Sequence, residues 1–437
     1  MKATDLSWIC KSLAWVFATS IAMVAVADDW PQWRGPNRDG VWSESGVVKK
    51  FGSDQIPILW RKPISSGYSG PTVAEGRVYI TDRVAEPKQI ERVHCFDAAT
   101  GDAVWSHEYD CSYQRISYEA GPRASVSIDD GRAYSLGSMG HLFCFDAESG
   151  SVLWQHDLSS EYKIRFDELI WGVSASPLVE DDLLIVQVGG PGACLVAFDK
   201  QNGKEVWRAL DDRPSYAAPI VIDQAGQRVL VCWTGDSLSG LAPKTGKVLW
   251  SLPFAPRKMV LACSTPVVEK DRLFVTAFYD GSLMAKLADD QPAATSVWRR
   301  RGRSEQQTDA LHSIISTPYL EGDYVYGVDS YGQLRCLDAK TGDRIWENGT
   351  ATPQERWGTI HMVKNGKDIW MFNESGQLII SRLSPQGFEE ISRARLIAPT
   401  NVQLPQRPVC WSHPAYANRH VFARNDEELV CASLAAE

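Results

Sequence analysis

Ser313 beside His312, with His361 and His413 farther along, come nearest in this chain to a nucleophile with its base or to a set of metal ligands. Such chemistry needs a hydroxyl within hydrogen-bond reach of a base, or three or four converging donors around a cation. No local motif supplies either. The chain has no Walker loop, no HExxH, no GxSxG, no EF-hand loop, and no CxxC or Cys/His cluster at zinc spacing. A second group of residues mixes aromatics with cations: Tyr113, Arg115 and Tyr118; Arg165, Phe166 and Trp171; Tyr216; Lys258; Arg356 and Trp357; and Trp411. Aromatics with arginine are the composition of binding hot spots. The same rings can equally serve to pack loops down.

What must position these residues is a repeated module. Phe96-Asp97-Ala98-Ala99-Thr100-Gly101 leads to Trp105, Phe145-Asp146 through Gly150 to Trp154, and Phe198-Asp199 through Gly203 to Trp207. Leu337-Asp338 through Gly342 leads to Trp346, and Leu241 through Gly246, with the Asp lost, to Trp250. In each phrase the Asp opens a turn by accepting from backbone N–H groups ahead of it, and the Gly closes it in a left-handed conformation. The Trp then lies on the following strand, with enough flat apolar area to wedge one module against the next. The wedge slots are Trp60, Trp105, Trp154, Trp207, Trp250, Trp298 and Trp346, with Ile391 in the eighth, at spacings of 43 to 53 residues. Eight short turns, from Glu75-Gly76 to Asn418-Arg419, form an independent series, each followed by an apolar strand. A unit of this period cannot bury its face alone and must stack on copies of itself.

The two ends are complementary. Trp60 precedes any complete module, and the last module, about 411–434, lacks a wedge strand. Pairing them removes the exposed edges of an open array. The expectation is therefore an all-β fold: an eight-bladed β-propeller of four-stranded antiparallel blades over 58–437, its ring closed by the N-terminal strand. The three histidines fall near the innermost strands of blades six, seven and eight, which brings them towards one mouth of the central channel. There they are read first as hydrogen-bonded groups lining a wet channel, with a ligand or metal site as the alternative. The connections into the innermost strands line one face, with 109–123 and 158–172 as its walls.

Composition bounds the rest. A chain that is 44% hydrophobic and 10% aromatic has ample core for one large ring. Residues 1–27 read as a secretory signal, with Lys2 and Lys11, an apolar stretch from Leu13 to Val26, and Ala25-Val26-Ala27 at the cleavage site. Cys10 lacks the small residues that precede a lipoprotein cysteine. Residues 28–57 form a lead-in. The formal net charge of -9 argues against sequence-independent nucleic-acid binding. The run Arg299-Arg300-Arg301 with Arg303 is read as a solvated loop, with an acidic partner or lipid headgroup as the alternative. Cys95, Cys144, Cys336 and Cys431 occupy equivalent slots on different blades, too far apart to bridge, and read as small buried hydrophobes.

The repeated phrase resembles the tryptophan-docking repeat of pyrroloquinoline-quinone (PQQ) propellers, over about residues 58–434. That family holds both quinoprotein dehydrogenases, with PQQ and calcium on the axis, and non-catalytic propellers similar to BamB. The opening Trp30-Pro31-Gln32-Trp33-Arg34-Gly35-Pro36-Asn37-Arg38-Asp39-Gly40 resembles the lead-in of exported PQQ-like repeat proteins of planctomycete-type bacteria. The dehydrogenases carry adjacent cysteines over the cofactor, and this chain has no Cys-Cys pair. The resemblance thus implies an exported, monomeric, non-catalytic binding scaffold without cofactor. Its partners would be envelope proteins, outer-membrane biogenesis machinery among the candidates, engaged through one ring face. No nucleic acid and no membrane span after signal cleavage are expected. No catalytic, cofactor or metal residue is assigned. The candidate binding face comprises Arg115, Tyr118, Trp171, Tyr216, His312, Trp357, His361, Trp411 and His413. Two alternatives remain: a quinoprotein-like oxidoreductase using PQQ with calcium, and a small-ligand or carbohydrate-binding propeller.

Overall fold

A computed structural model describes residues 29–436; the expected signal sequence lies outside the described residues. The chain forms eight four-stranded antiparallel sheets. Seven are built from consecutive strands, spanning 72–110, 127–157, 178–209, 220–253, 267–300, 319–348 and 360–395. The eighth takes its three inner strands from 415–433 and its outermost from Ile58–Pro63, which pairs with Glu428–Ser433 and sets Trp60 opposite Cys431. The ring is closed by the N-terminal strand, as the complementary ends require. One short helix, Leu158–Tyr162, interrupts the all-β pattern, started by Asp157, whose side chain accepts from the Ser160 N–H.

The repeated phrase acts as the sequence implies. Asp97 Oδ1 accepts from the Ala99 and Thr100 N–H groups at 2.9 and 2.8 Å, and Gly101 closes the turn at φ 72°. Each docking indole lies over the turn of the next blade. Trp60 donates to the Ala98 carbonyl, Trp105 to Ala147, Trp154 to Lys200, Trp207 to Pro243, Trp298 to Ala339 and Trp346 to Ser384. The turn glycine is needed for contact as well as conformation: a Cβ on Gly150 would stand 2.5 Å from the Trp105 ring. Trp250 departs from the rule. The turn it faces, 288–293, has no Gly, and its indole donates instead to Gln224 Oε1, while Gln224 Nε2 donates to the Ala288 and Ala293 carbonyls of the next blade. One amide side chain thus replaces the missing turn geometry. All nine described cysteines are free, and all but Cys263 are buried.

The lead-in is built into the ring. Trp30 bridges to Val73, Val41 to Lys364, Val47 to Ala435 and Gln55 to Arg395, so the segment crosses one face of the propeller before entering its closing strand. Trp30 and Trp42 are each 1% exposed, in the core cluster shared by blades one, seven and eight. Between them the turn 33–40 enters the central channel. Arg38, buried, donates to the Gln32 side chain and to the Ser176, Pro177 and Pro219 carbonyls at the entrances to blades three and four. The channel is plugged.

Candidate functional site

Above the plug, the connections that lead into the innermost strands of all eight blades surround a cavity of about 130 Å³ on the ring axis. Its walls carry Tyr68, Tyr118, Trp171, Tyr216, Trp357 and Trp411, with His361 and His413, and its lining includes Trp33 from the plug. The rings brace one another. Tyr118 packs edge-to-face on Trp357 at 5.3 Å and on Trp411 at 6.1 Å, and Trp171 lies 5.1 Å from Tyr216. Edge-to-face contacts of this kind add to the burial of each ring and limit its rotation. On the other side of the plug lies a polar cavity of about 340 Å³, bordered by Arg34, Asp39, Glu269, Glu321 and Lys364.

The histidines separate into two kinds. His413 Nδ1–H donates to the Pro414 carbonyl at 3.2 Å, so its Nε2 accepts from the Ser125 hydroxyl at 2.8 Å. Its ring lies 4.5 Å edge-on from Trp33, in space that exists because residue 70 is glycine: a Cβ there would come within 2.4 Å of His413 Cε1. His361 Nε2–H donates to the Trp411 carbonyl at 2.8 Å, which leaves Nδ1 as an acceptor in the cavity wall. His312 does not join them. It is fully buried, donates from Nδ1 to the Phe278 carbonyl and accepts at Nε2 from the Gly302 N–H, so both nitrogens are committed away from the axis. Ser313 likewise donates to the Val328 carbonyl. The pair that resembled a nucleophile and base is two separately anchored groups.

Arg115 is exposed at a left-handed turn of φ 59° and does not line the cavity. Tyr113 holds its loop down by donating to Glu91 at 2.5 Å, with Arg83 stacked 4.1 Å over its ring. Arg356 pairs with Glu305 and stacks on Trp357. Arg300 is likewise engaged, with Asp309 and Asp343. Trp33, Tyr68 and Arg123 are lining residues that the sequence reading missed. The only signal was density: Trp, Arg, Gly and Pro crowd the lead-in, and Gly67-Tyr68-Ser69-Gly70 and Gly121-Pro122-Arg123 flank the first blade.

Burial lowers His361 to about 4 and His413 to about 3, helped by the nearby Arg34 and, for His413, by His361 itself. Both rings are therefore neutral at pH 7. In the unfolded chain they take up protons below about 6.5, so the unfolded state binds more protons between that value and the folded ones. The stability conferred by neutral rings is full above pH 6.5 and is lost as pH falls. Glu374 opposes this: burial raises its carboxyl to about 7, so the fold takes up a proton over the range down to the ordinary carboxylate value. His361→Gln places an amide N–H at the reach of Nε2 for the Trp411 carbonyl and removes one titrating ring. The slope of unfolding free energy between about pH 6 and about pH 5 should fall by about one proton, ~1.4 kcal/mol per pH unit. Urea titrations across this range measure it, and an unchanged slope would contradict the assignment.

Against known proteins, the chain matches the family model described as outer membrane protein assembly factor BamB over residues 89–348. It is 24% identical over 161 residues to the outer membrane protein assembly factor BamB of Shewanella oneidensis, a match covering 36% of this chain and 40% of that relative. In three dimensions it is similar to BamB from Moraxella catarrhalis, with TM-score 0.56 and 17% identity over 86% of this chain and 99% of that one. It is also similar to quinohemoprotein alcohol dehydrogenase from Comamonas testosteroni, with TM-score 0.63 and 12% identity over 94% and 81% of the two chains. At these identities the structural likenesses speak to the fold alone.

Proposed function

Because the chain belongs to the outer membrane protein assembly factor BamB family, we propose that it is an exported, non-catalytic binding scaffold. It engages envelope proteins through the ring face that carries the connections into the innermost strands. The observation that carries this reading is the convergence of Tyr118, Trp171, Trp357 and Trp411 on that face, next to exposed Arg115. Rigid aromatics backed by arginine present large contact area at low entropic cost. Ser313 and His312 do not form a nucleophile with its base, since each is satisfied elsewhere, and the Ser125 hydroxyl that does donate to His413 Nε2 is fully buried. Outer-membrane assembly machinery is the partner class that the family suggests.

The same lining argues against the oxidoreductase alternative. PQQ carries three carboxylates on fused rings and works with a calcium held by oxygen donors. No carboxylate lines the axial cavity, and among the described residues no group of three or more His, Cys, Asp or Glu is placed to hold a metal. The residues present do not fit that cofactor. No helix among the described residues is long and apolar enough to cross a membrane.

The test is a cross-linking pull-down of the tagged protein from the cell envelope, read by mass spectrometry. One stoichiometric envelope protein is expected, reduced at least about tenfold when the 109–123 and 158–172 connections are replaced by Gly/Ser linkers of equal length. Recovery unchanged by that replacement would place the contact elsewhere.

A further inference from the structure

We propose that the axial cavity is a binding site for a monocyclic aromatic carboxylate, a benzoate-sized planar ring bearing one acidic group. Two observations support this independently of any protein partner.

The first is size and wall chemistry. The cavity holds about 130 Å³ between aromatic walls, close to the ~150 Å³ apolar cavity that accepts benzene. One planar ring fits such a space.

The second is charge. Arg123 lines the cavity and has no carboxylate partner among the described residues: its guanidinium donates there to the Ser117, Tyr118 and Gly121 carbonyls and the Ser138 hydroxyl. Arg34, in the plug below, donates to the Arg38 and Asp39 carbonyls with the Asp39 carboxylate nearby, and lies near enough to disfavour protonation of both imidazoles. The Arg123 guanidinium thus lines a cavity whose lining contains no acid. The buried carboxyls outside the lining have partners of their own: Glu374 beside Trp411 faces Arg407 and is raised to about 7 by burial, Asp426 near Tyr68 accepts from Thr400 and Gln403, and Glu91 accepts from Tyr109, Tyr113 and the Ser138 N–H. A cation that donates only to neutral oxygens, as Arg123 does, leaves a positive potential that an anion relieves.

A quaternary ammonium, the usual guest of aromatic cages, would be repelled by Arg123.

The experiment is isothermal titration calorimetry of the purified chain with benzoate, set against cyclohexanecarboxylate, benzyl alcohol and glucose. Benzoate should bind with a Kd below about 1 mM, and the non-planar acid and the uncharged ring at least about tenfold more weakly. Ala218→Val and Ile315→Phe, which fill the cavity from two different blades, should each abolish the benzoate heat while leaving the urea midpoint near wild type. Arg123→Gln should weaken benzoate at least about tenfold and leave benzyl alcohol unchanged. Absence of saturable heat with benzoate up to about 10 mM, preference for glucose, or benzoate binding that survives both filling variants would overturn the proposal. Because no partner protein enters the assay, its failure leaves the scaffold reading standing, and failure of the pull-down leaves this one standing.

Discussion

Trp60→Ala should destabilise the ring by about 3–5 kcal/mol, the cost of truncating a buried aromatic into a site that cannot collapse. Trp60 is 8% exposed and lies on the strand that closes the propeller. Its ring covers Gly101, where a Cβ would stand 2.7 Å away, packs 5.9 Å from Phe422, and donates to Ala98 of blade one. The cavity left by alanine would be walled by two sheets fixed by their own ladders, so neither can move in to fill it. Closure adds a second consequence. The equivalent Trp346→Ala loosens a seam between blades that remain joined by continuous chain, whereas Trp60→Ala loosens the seam at which the two ends of the chain meet. Urea unfolding of both variants checks this: a larger loss is expected for Trp60→Ala, together with earlier proteolytic release of the N-terminal segment. A loss below about 1 kcal/mol would mean that the closing strand is held by its backbone ladder alone.

Arg38→Ala should cost about 2–4 kcal/mol, the second large effect, through a different mechanism. The Arg38 guanidinium is 3% exposed, and burial without a carboxylate lowers it to about 9. It remains charged at neutral pH because four oxygens from Gln32, Ser176, Pro177 and Pro219 surround it. Hydrogen bonds to charged groups contribute more than neutral ones, and removing the donor takes it from the buried Ser176 and Pro219 carbonyls, while Pro177 keeps the Ser127 hydroxyl. Arg38→Lys keeps the charge but not the planar fork, so it should recover less than half of the loss. The plug also carries Trp33, whose indole donates to Thr265 at 2.7 Å beside the axial cavity. Arg38→Ala should therefore raise acrylamide quenching of tryptophan fluorescence in addition to lowering stability. Stability loss with unchanged quenching would show that the plug stays seated by other contacts.

The blades were legible because their information is local. Asp97, Gly101 and Trp105 lie within one hairpin, and each indole meets the same turn on the next copy, so repetition in sequence reports repetition in space. Where docking depends on a residue outside the hairpin, as with Gln224 under Trp250, no local pattern marks it. The plug was illegible for the same reason. Arg38 is 138 residues from Ser176, and nothing around Ser176 signals a carbonyl awaiting a donor. The histidines show the limit of equating slots between blades. His361 is the second residue of the innermost strand Ile360–Asn365, and His413 comes two residues before Ala415–Ala417. His312 comes seven residues before Tyr319–Glu321. That offset is enough to turn one ring into the core while the other two face the axis. Tyr118, Trp171, Tyr216, Trp357 and Trp411 were placed together by topology alone, since every blade delivers its connection to the same mouth.

The most direct test of the scaffold reading is site-specific photo-cross-linking in cells. A photoreactive amino acid replaces Arg115, exposed on the face with the axial cavity, or Glu148, exposed in a blade turn on the opposite face. The account predicts one discrete cross-linked envelope protein from position 115 and none from position 148. The same product from both positions, or a product from position 148 only, would contradict it.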